Sequence, residues 1–202
     1  MVQLKGLFKL APTAAIKYFK KKGQTYTWDW YELWQDAHKK TFTVAKVMRE
    51  DVLKDIRSCL DKSLSEGKTF HEFQKELKPI LQKKGWWGEQ IVVDSQGVAE
   101  KVQLGSMYRL KTIYSVNMQV AYQTGRYTTQ MENTDNRPYW EYVAIMDAST
   151  RPEHAELNGM VYRYDDPFWR AFYPPNGWRC RCRVNALSDY KLQKRKLRPS
   201  KS

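Results

Sequence analysis

Apolar positions recur every three to four residues through much of the first half of the chain and every second residue near its end, so the pattern predicts helices followed by strands. Pro12 stands where a first helical turn tolerates proline, and Ala14, Ala15 and Ile16 open a short basic helix to Lys22 that Gly23 ends. Thr27 is placed to cap a second helix through Trp28, Trp30, Leu33 and Trp34. From Asp51, the residues Leu53, Ile56, Leu60 and Leu64 keep helical spacing until Gly67 stops the run. Thr69 and Glu72 have the spacing of a capping box ahead of a stripe of Phe70, Phe73, Leu77 and Leu81. Pro79 is expected to kink or restart that helix.

The character changes over residues 86–105. Gln90 to Val93 and Val98 to Val102, separated by Asp94-Ser95-Gln96-Gly97, suggest a hairpin or a projecting loop. Ser106 then caps a long helix whose inner stripe runs Leu110, Ile113, Tyr114, Asn117, Ala121 and Thr124. Asn117 is the odd member. A buried amide without a partner costs on the order of 1–3 kcal/mol, so it either holds a neighbouring loop in register or faces a polar cleft. After Arg137-Pro138 come three predicted strands, Tyr139 to Met146, Gly159 to Tyr164 and Arg179 to Val184, with Pro152 and Pro167 opening short helices between them. Pro174-Pro175-Asn176-Gly177 makes a return turn. The plan is α+β: a helical N-terminal part, a long helix, and a small, mainly antiparallel sheet with short helices. It divides into a basic arm and short helix (1–24), a helical region (25–85), the hairpin or loop (86–105), an α+β domain (106–185) and a basic tail (186–202).

A chain of 202 residues holds one or two domains. Its net charge of +13 is concentrated at the ends, because residues 1–24 hold six lysines and no acid and residues 183–202 hold seven Lys or Arg against one Asp. The body between them is nearly neutral. Such arms either grip a polyanion, each cation releasing a counterion as it meets a phosphate, or lie solvated without a specific partner. No apolar run approaches the roughly 18 residues of a membrane span, and Lys5 and Lys9 interrupt the opening segment before it reaches the length of a signal peptide core. Three cysteines make no disulfide framework and suit a reducing cytoplasm.

Candidate chemistry gathers near the end. On a strand from Arg179 to Val184, Cys180, Cys182 and Val184 share one face and Arg179, Arg181 and Arg183 the other. The two thiols are then buried apolar groups, thiolates on a metal, or a reactive pair. His154, Cys180 and Cys182 with Asp147 could complete a zinc tetrahedron, and without Asp147 the set is one donor short. The alternative is a hydrogen-bonded structural His154 beside buried cysteines, with no cofactor. His154, Asp147, Glu153, Asp165, Asp166 and Arg151 also contain the acids, base and cation of a nucleic-acid-processing or toxin-like enzyme. Nothing in their spacing requires it, and no phosphate-cradling Gly loop, nucleophile elbow or His-Glu-x-x-His occurs. Asp165-Asp166-Pro167 reads better as a helix start, with Trp169, Phe172, Tyr173 and Trp178 packing a small sheet domain. His38 and His71 lie on charged, solvated helix faces.

The wording of Asp147 to Val184 resembles the C-terminal signature of the phage Mu protein F-like family, the minor head proteins of tailed bacteriophages. Further matches lie in order at Ala15-Ile16, Phe42-Thr43-Val44-Ala45, Gly85-Trp86, Ile113-Tyr114 with Asn117, Tyr122 with Gly125-Arg126, and Arg137-Pro138-Tyr139-Trp140. They span residues from about 11 to 184. The signature positions are Asn117, Arg126, Arg151, His154, Gly159, Pro174, Pro175, Asn176, Gly177, Trp178, Cys180 and Cys182. Relatives resemble a zinc pattern with Cys-x-x-Cys where this chain has Arg151 to His154. The resemblance implies a head morphogenesis protein, present in few copies near the portal vertex of the virion and made in the host cytoplasm. Portal protein, capsid or scaffold proteins and non-specifically held double-stranded DNA are the implied partners, with no membrane and no enzymatic activity. The candidate contacts to DNA or an acidic portal surface are Lys17, Lys20, Lys21, Lys22, Arg179, Arg181, Arg183, Lys191, Lys194, Arg195, Lys196 and Arg198. Some relatives carry an extra C-terminal domain, occasionally a toxin enzyme, which is not expected where this sequence stops. A generic host DNA-binding module is the third class, and neighbouring portal and capsid genes would separate it.

Overall fold

A computed structural model of the chain describes residues 12–26, 41–93 and 98–201. The helix expected from Thr27, the turn at 94–97 and His38 lie outside them. The chain forms two compact units, 1–118 and 119–202. Their boundary falls within the long helix.

In the first unit, α1 (Thr13–Lys21) follows Pro12 and leads into β1 (Gly23–Gln24), which pairs in parallel with β2 (Thr41–Phe42). Helix α2 (Glu50–Glu66) buries Leu53, Ile56, Leu60 and Leu64 and ends at Gly67, whose φ of 68° is a left-handed value that a side chain would resist. Helix α3 (Phe70–Lys83) starts with the complete Thr69/Glu72 capping box and buries Phe73, Leu77 and Leu81. It runs through Pro79 without interruption. The ring sits on the exposed side, where the apolar stripe that holds the helix against its neighbours is untouched. Lys62 and Lys68 both reach Glu76, tying α2 to α3. Phe19 meets Phe42 edge-on at 5.7 Å, adding α1 and β2 to the same core.

Strands β3 (Glu89–Val93) and β4 (Ala99–Gln103) form an antiparallel hairpin with Ile91, Val93 and Val98 exposed. Its base is fixed by Gly105. A Cβ there would lie 2.5 Å from the Trp86 carbonyl oxygen and 2.8 Å from the Trp87 ring, so only glycine lets the chain pass. Arg109 is half-buried beside this base, stacks on Trp86 at 4.8 Å and donates to the carbonyls of Gln103, Leu104 and Ala45. Burial draws its pKa down to about 10, still charged at neutral pH.

The long helix α4 (Met107–Met131) is capped by Ser106, whose Oγ accepts from Arg109 N at 3.2 Å. The second unit holds the sheet β6–β5–β7, with β5 (Tyr139–Val143) central and antiparallel to both β6 (Val161–Arg163) and β7 (Arg183–Leu187). Between them lie α5 (Pro152–Glu156) and α6 (Phe168–Phe172), and α7 (Asp189–Lys194) follows β7. The three-strand plan holds, but each strand is shorter than its apolar run and the last is displaced toward the C-terminus. Trp140 is fully buried and packs against Trp169 and Tyr173, both at 5.6 Å, while Tyr162 stacks on Phe168 at 4.1 Å. Phe172 and Trp178, expected in this core, are exposed.

Candidate functional site

Pro152 sets the first turn of α5, and that short helix delivers His154 to the interior, 7% exposed. The Sγ of Cys182 lies 3.7 Å from its Nδ1, and the donor atoms of His154, Cys180 and Cys182 lie within 4.8 Å of one another. The Tyr142 hydroxyl accepts from Asn176 Nδ2 at 3.3 Å and bonds Cys182. Burial pushes the Cys182 thiol and the Tyr142 phenol up, so both stay protonated at neutral pH. A reactive thiolate pair does not fit that setting.

Cys180 and Cys182 are not on a strand. Arg179 takes a left-handed φ of 58° and ladder bonding begins only at Arg183, yet burial still alternates through 180–184 as expected. Nor is the arginine face a row of open cations. Arg181 grips Asp147 with two bonds of 2.7 and 2.5 Å, and Asp147 also accepts from Ser149 N. The Arg181 guanidinium lowers the Asp147 carboxyl to about 2. Asp147 is thereby engaged away from the thiols and does not join the donor set. A closed structural zinc site takes four donors. The described residues bring three together, His154, Cys180 and Cys182.

Three of the remaining polar groups of the enzyme reading hold backbone or a neighbouring side chain. Arg151 donates to the carbonyls of Asn176 and Trp178, Asp165 pairs with Arg163 at 3.0 Å, and Asp166 accepts from Phe168 N at 2.9 Å as the expected helix start.

Asn117 holds no loop: its amide donates back to Ile113 in its own helix at 2.8 Å. The cross-element role falls to residues further along. Gln123 donates to the Cys182 carbonyl, and Arg126 and Gln130 to that of Val184, at 2.9, 3.0 and 2.9 Å. Tyr173 donates in turn to Gln130 Oε1. The spacing 123, 126, 130 is one face of a helix, a signal in the sequence that the apolar stripe masked.

The C-terminal segment is folded. Ser188 caps α7, and Arg195 makes bonds of 2.7 and 2.6 Å to Glu141. Glu141 alternates with Trp140 and Tyr142 on β5 and so faces the side of the sheet away from the aromatic core. Ser200 N donates to Val161 O. Between α4 and the β7–α7 segment runs an open groove of about 640 Å³, lined by Arg126, Arg137, Lys191, Lys194 and Arg195 among polar residues and by no acid. Lys196 and Arg198 are exposed beyond it, as are Arg179 and Arg183. At the other end Lys17, Lys20 and Lys21 are exposed, Lys20 lying 3.8 Å from Asp61. Lys22 differs: burial and the nearby Arg57 lower it to about 8. Arg57 itself donates to the Lys20 and Lys22 carbonyls at the end of α1.

The profile of the Phage Mu protein F like protein family matches residues 54–185. The chain belongs to that family. It is 53% identical over 95% of its length to a protein of Escherichia phage Mu that carries the provisional name capsid assembly protein F. It is 48% identical over 87% of its length to the Mu-like prophage FluMu F protein of Haemophilus influenzae. The chain spans 44% and 42% of those two relatives, less than half of each. No solved structure matches it. Within this Mu F-like chain the signature residues are largely structural. Arg151 donates to the Asn176 and Trp178 carbonyls, Gly177 has a φ of 90° against the Arg151 guanidinium, and His154 meets Cys182. The peptide Pro174-Pro175 is cis, and Gly159 N donates to Tyr142 O.

Proposed function

We propose that this chain is a head morphogenesis protein of a tailed phage or prophage, acting near the portal vertex in capsid assembly and in DNA packaging or delivery. The observation that carries the reading is identity of 53% along nearly the whole chain to a phage Mu protein named for capsid assembly. The site geometry agrees with a structural role. The family's signature His, Arg and Cys side chains are spent on buried or backbone contacts that lock the second unit together, where catalytic groups would need access to a substrate. Partners on this reading are the portal protein, capsid or scaffold proteins, and double-stranded DNA held without sequence preference. No helix among the described residues is long and apolar enough to cross a membrane. The test is deletion of the gene from an inducible prophage, with complementation in trans. Loss of DNA-filled heads that the intact gene restores is the expected result. Normal numbers of filled, infectious particles from the deletion strain contradict it.

A further inference from the structure

We infer that the groove between α4 and the β7–α7 segment is a binding site for the phosphodiester backbone of double-stranded DNA. This rests on the DNA-contact reading above and gives it an address in the second unit, apart from the lysines of α1. Arg126 lies on α4 and Arg137 six residues past its end, while Lys191 and Lys194 stand three residues apart on α7 and so share a helix face. Among the described residues none of these four cations has an acid within ion-pairing distance. Glu141, on the adjoining strand β5, is neutralised by Arg195. Bringing this much like charge together costs the fold electrostatic energy, which a polyanion returns on binding by releasing its counterions.

The lining chooses among polyanions. Asn133 adds a neutral amide of the kind that contacts phosphate and sugar oxygens, and no aromatic ring lines the groove. Proteins that hold single strands stack the bases on such rings, so the occupant is a duplex gripped by its backbone. Arg195 has a different role. Its guanidinium is committed to Glu141, so it fixes the α7 wall without touching phosphate.

The test uses the 202-residue chain and a fluorescent random-sequence duplex, read by anisotropy across a salt series, with a single strand of equal length and an acidic peptide as further arms. The variant Arg137→Gln/Lys191→Gln/Lys194→Gln is compared with Lys17→Gln/Lys20→Gln/Lys21→Gln, each checked by its melting temperature. The groove variant is expected to lose at least about tenfold in affinity, and its log-log salt slope to fall by about 2–3, because each phosphate contact contributes a slope near 0.9. The α1 variant should stay within about threefold. Acetylation mass spectrometry gives a second readout, in which the duplex protects Lys191 and Lys194. Wild-type protein that ignores DNA overturns both this site and the DNA-contact reading. DNA binding lost only in the α1 variant, with Lys191 and Lys194 unprotected, overturns the groove alone, as does preference for the single strand or the peptide.

Discussion

Asp147 is where a metal-ligand expectation turns into a structural one. Its carboxyl lies near 2 because of Arg181, against about 4 for an ordinary aspartate. A carboxylate whose folded pKa is depressed adds stability above its unfolded pKa and loses it as pH falls through the folded one. The Asp147–Arg181 contribution is therefore complete above about pH 4 and fades toward pH 2. Arg181→Gln should return the Asp147 carboxyl, followed by NMR, to the ordinary range. An ordinary value already present in the wild type would contradict the pairing. The thiols give a second residue-level prediction. Burial holds Cys59 at about 11 and raises Cys182, and all three thiols are shielded from solvent, so the cysteines should resist alkylation in the native protein at pH 7 and react on denaturation. With only His154, Cys180 and Cys182 as donors, purified protein dialysed without chelator is expected to hold far less than one zinc per chain. Stoichiometric zinc, with fast alkylation once it is removed, would reverse that assignment. The sequence revealed which side chains cluster here, because alternation around Cys180 and Cys182 survives in burial. It hid that Arg179 leaves the strand region, since a positive φ on a non-glycine residue leaves no mark in composition.

At the scale of elements, α2, α3 and α4 were legible because caps, stops and apolar stripes all agree for them. Pro79 was misleading, since burial of Phe73, Leu77 and Leu81 holds α3 together across the lost backbone bond. The basic tail was misleading in the other direction. Lysines and arginines suggested a solvated arm, whereas Arg195 pairs with Glu141 on β5, fifty-four residues away, a long-range partnership that no local pattern announces. The Glu141 side chain is 6% exposed and Arg195 47%. Arg195→Met should therefore cost about 2–3 kcal/mol, less than breaking a fully buried pair. Urea unfolding is the measurement, and Glu141→Gln in the same chain should recover part of the loss. A single variant as stable as wild type, or strict additivity of the two changes, would show that the contact does not hold the segment.

For the whole molecule, the charge asymmetry read from the sequence has a structural resolution. Twelve of its thirteen net charges belong to the ends, yet Lys22 and Arg195 are drawn into the fold, and two cations of the last segment, Lys191 and Lys194, meet Arg126 and Arg137 across a groove. A rigid, aromatic-packed unit that presents basic surface suits a protein working beside a packaged genome. Family membership was legible from a few dozen scattered residues because the signature encodes specific contacts, Arg151 to the Asn176 and Trp178 carbonyls among them. The groove was not legible, because its walls come from segments some sixty residues apart in sequence. The central claim is that the chain works in phage heads, and quantitative mass spectrometry of DNA-filled particles purified by density gradient tests it most directly. The account predicts peptides of this chain in those particles at a low, fixed ratio to the major capsid protein. Particles that contain none of it, from lysates in which the protein is abundant, would contradict the account.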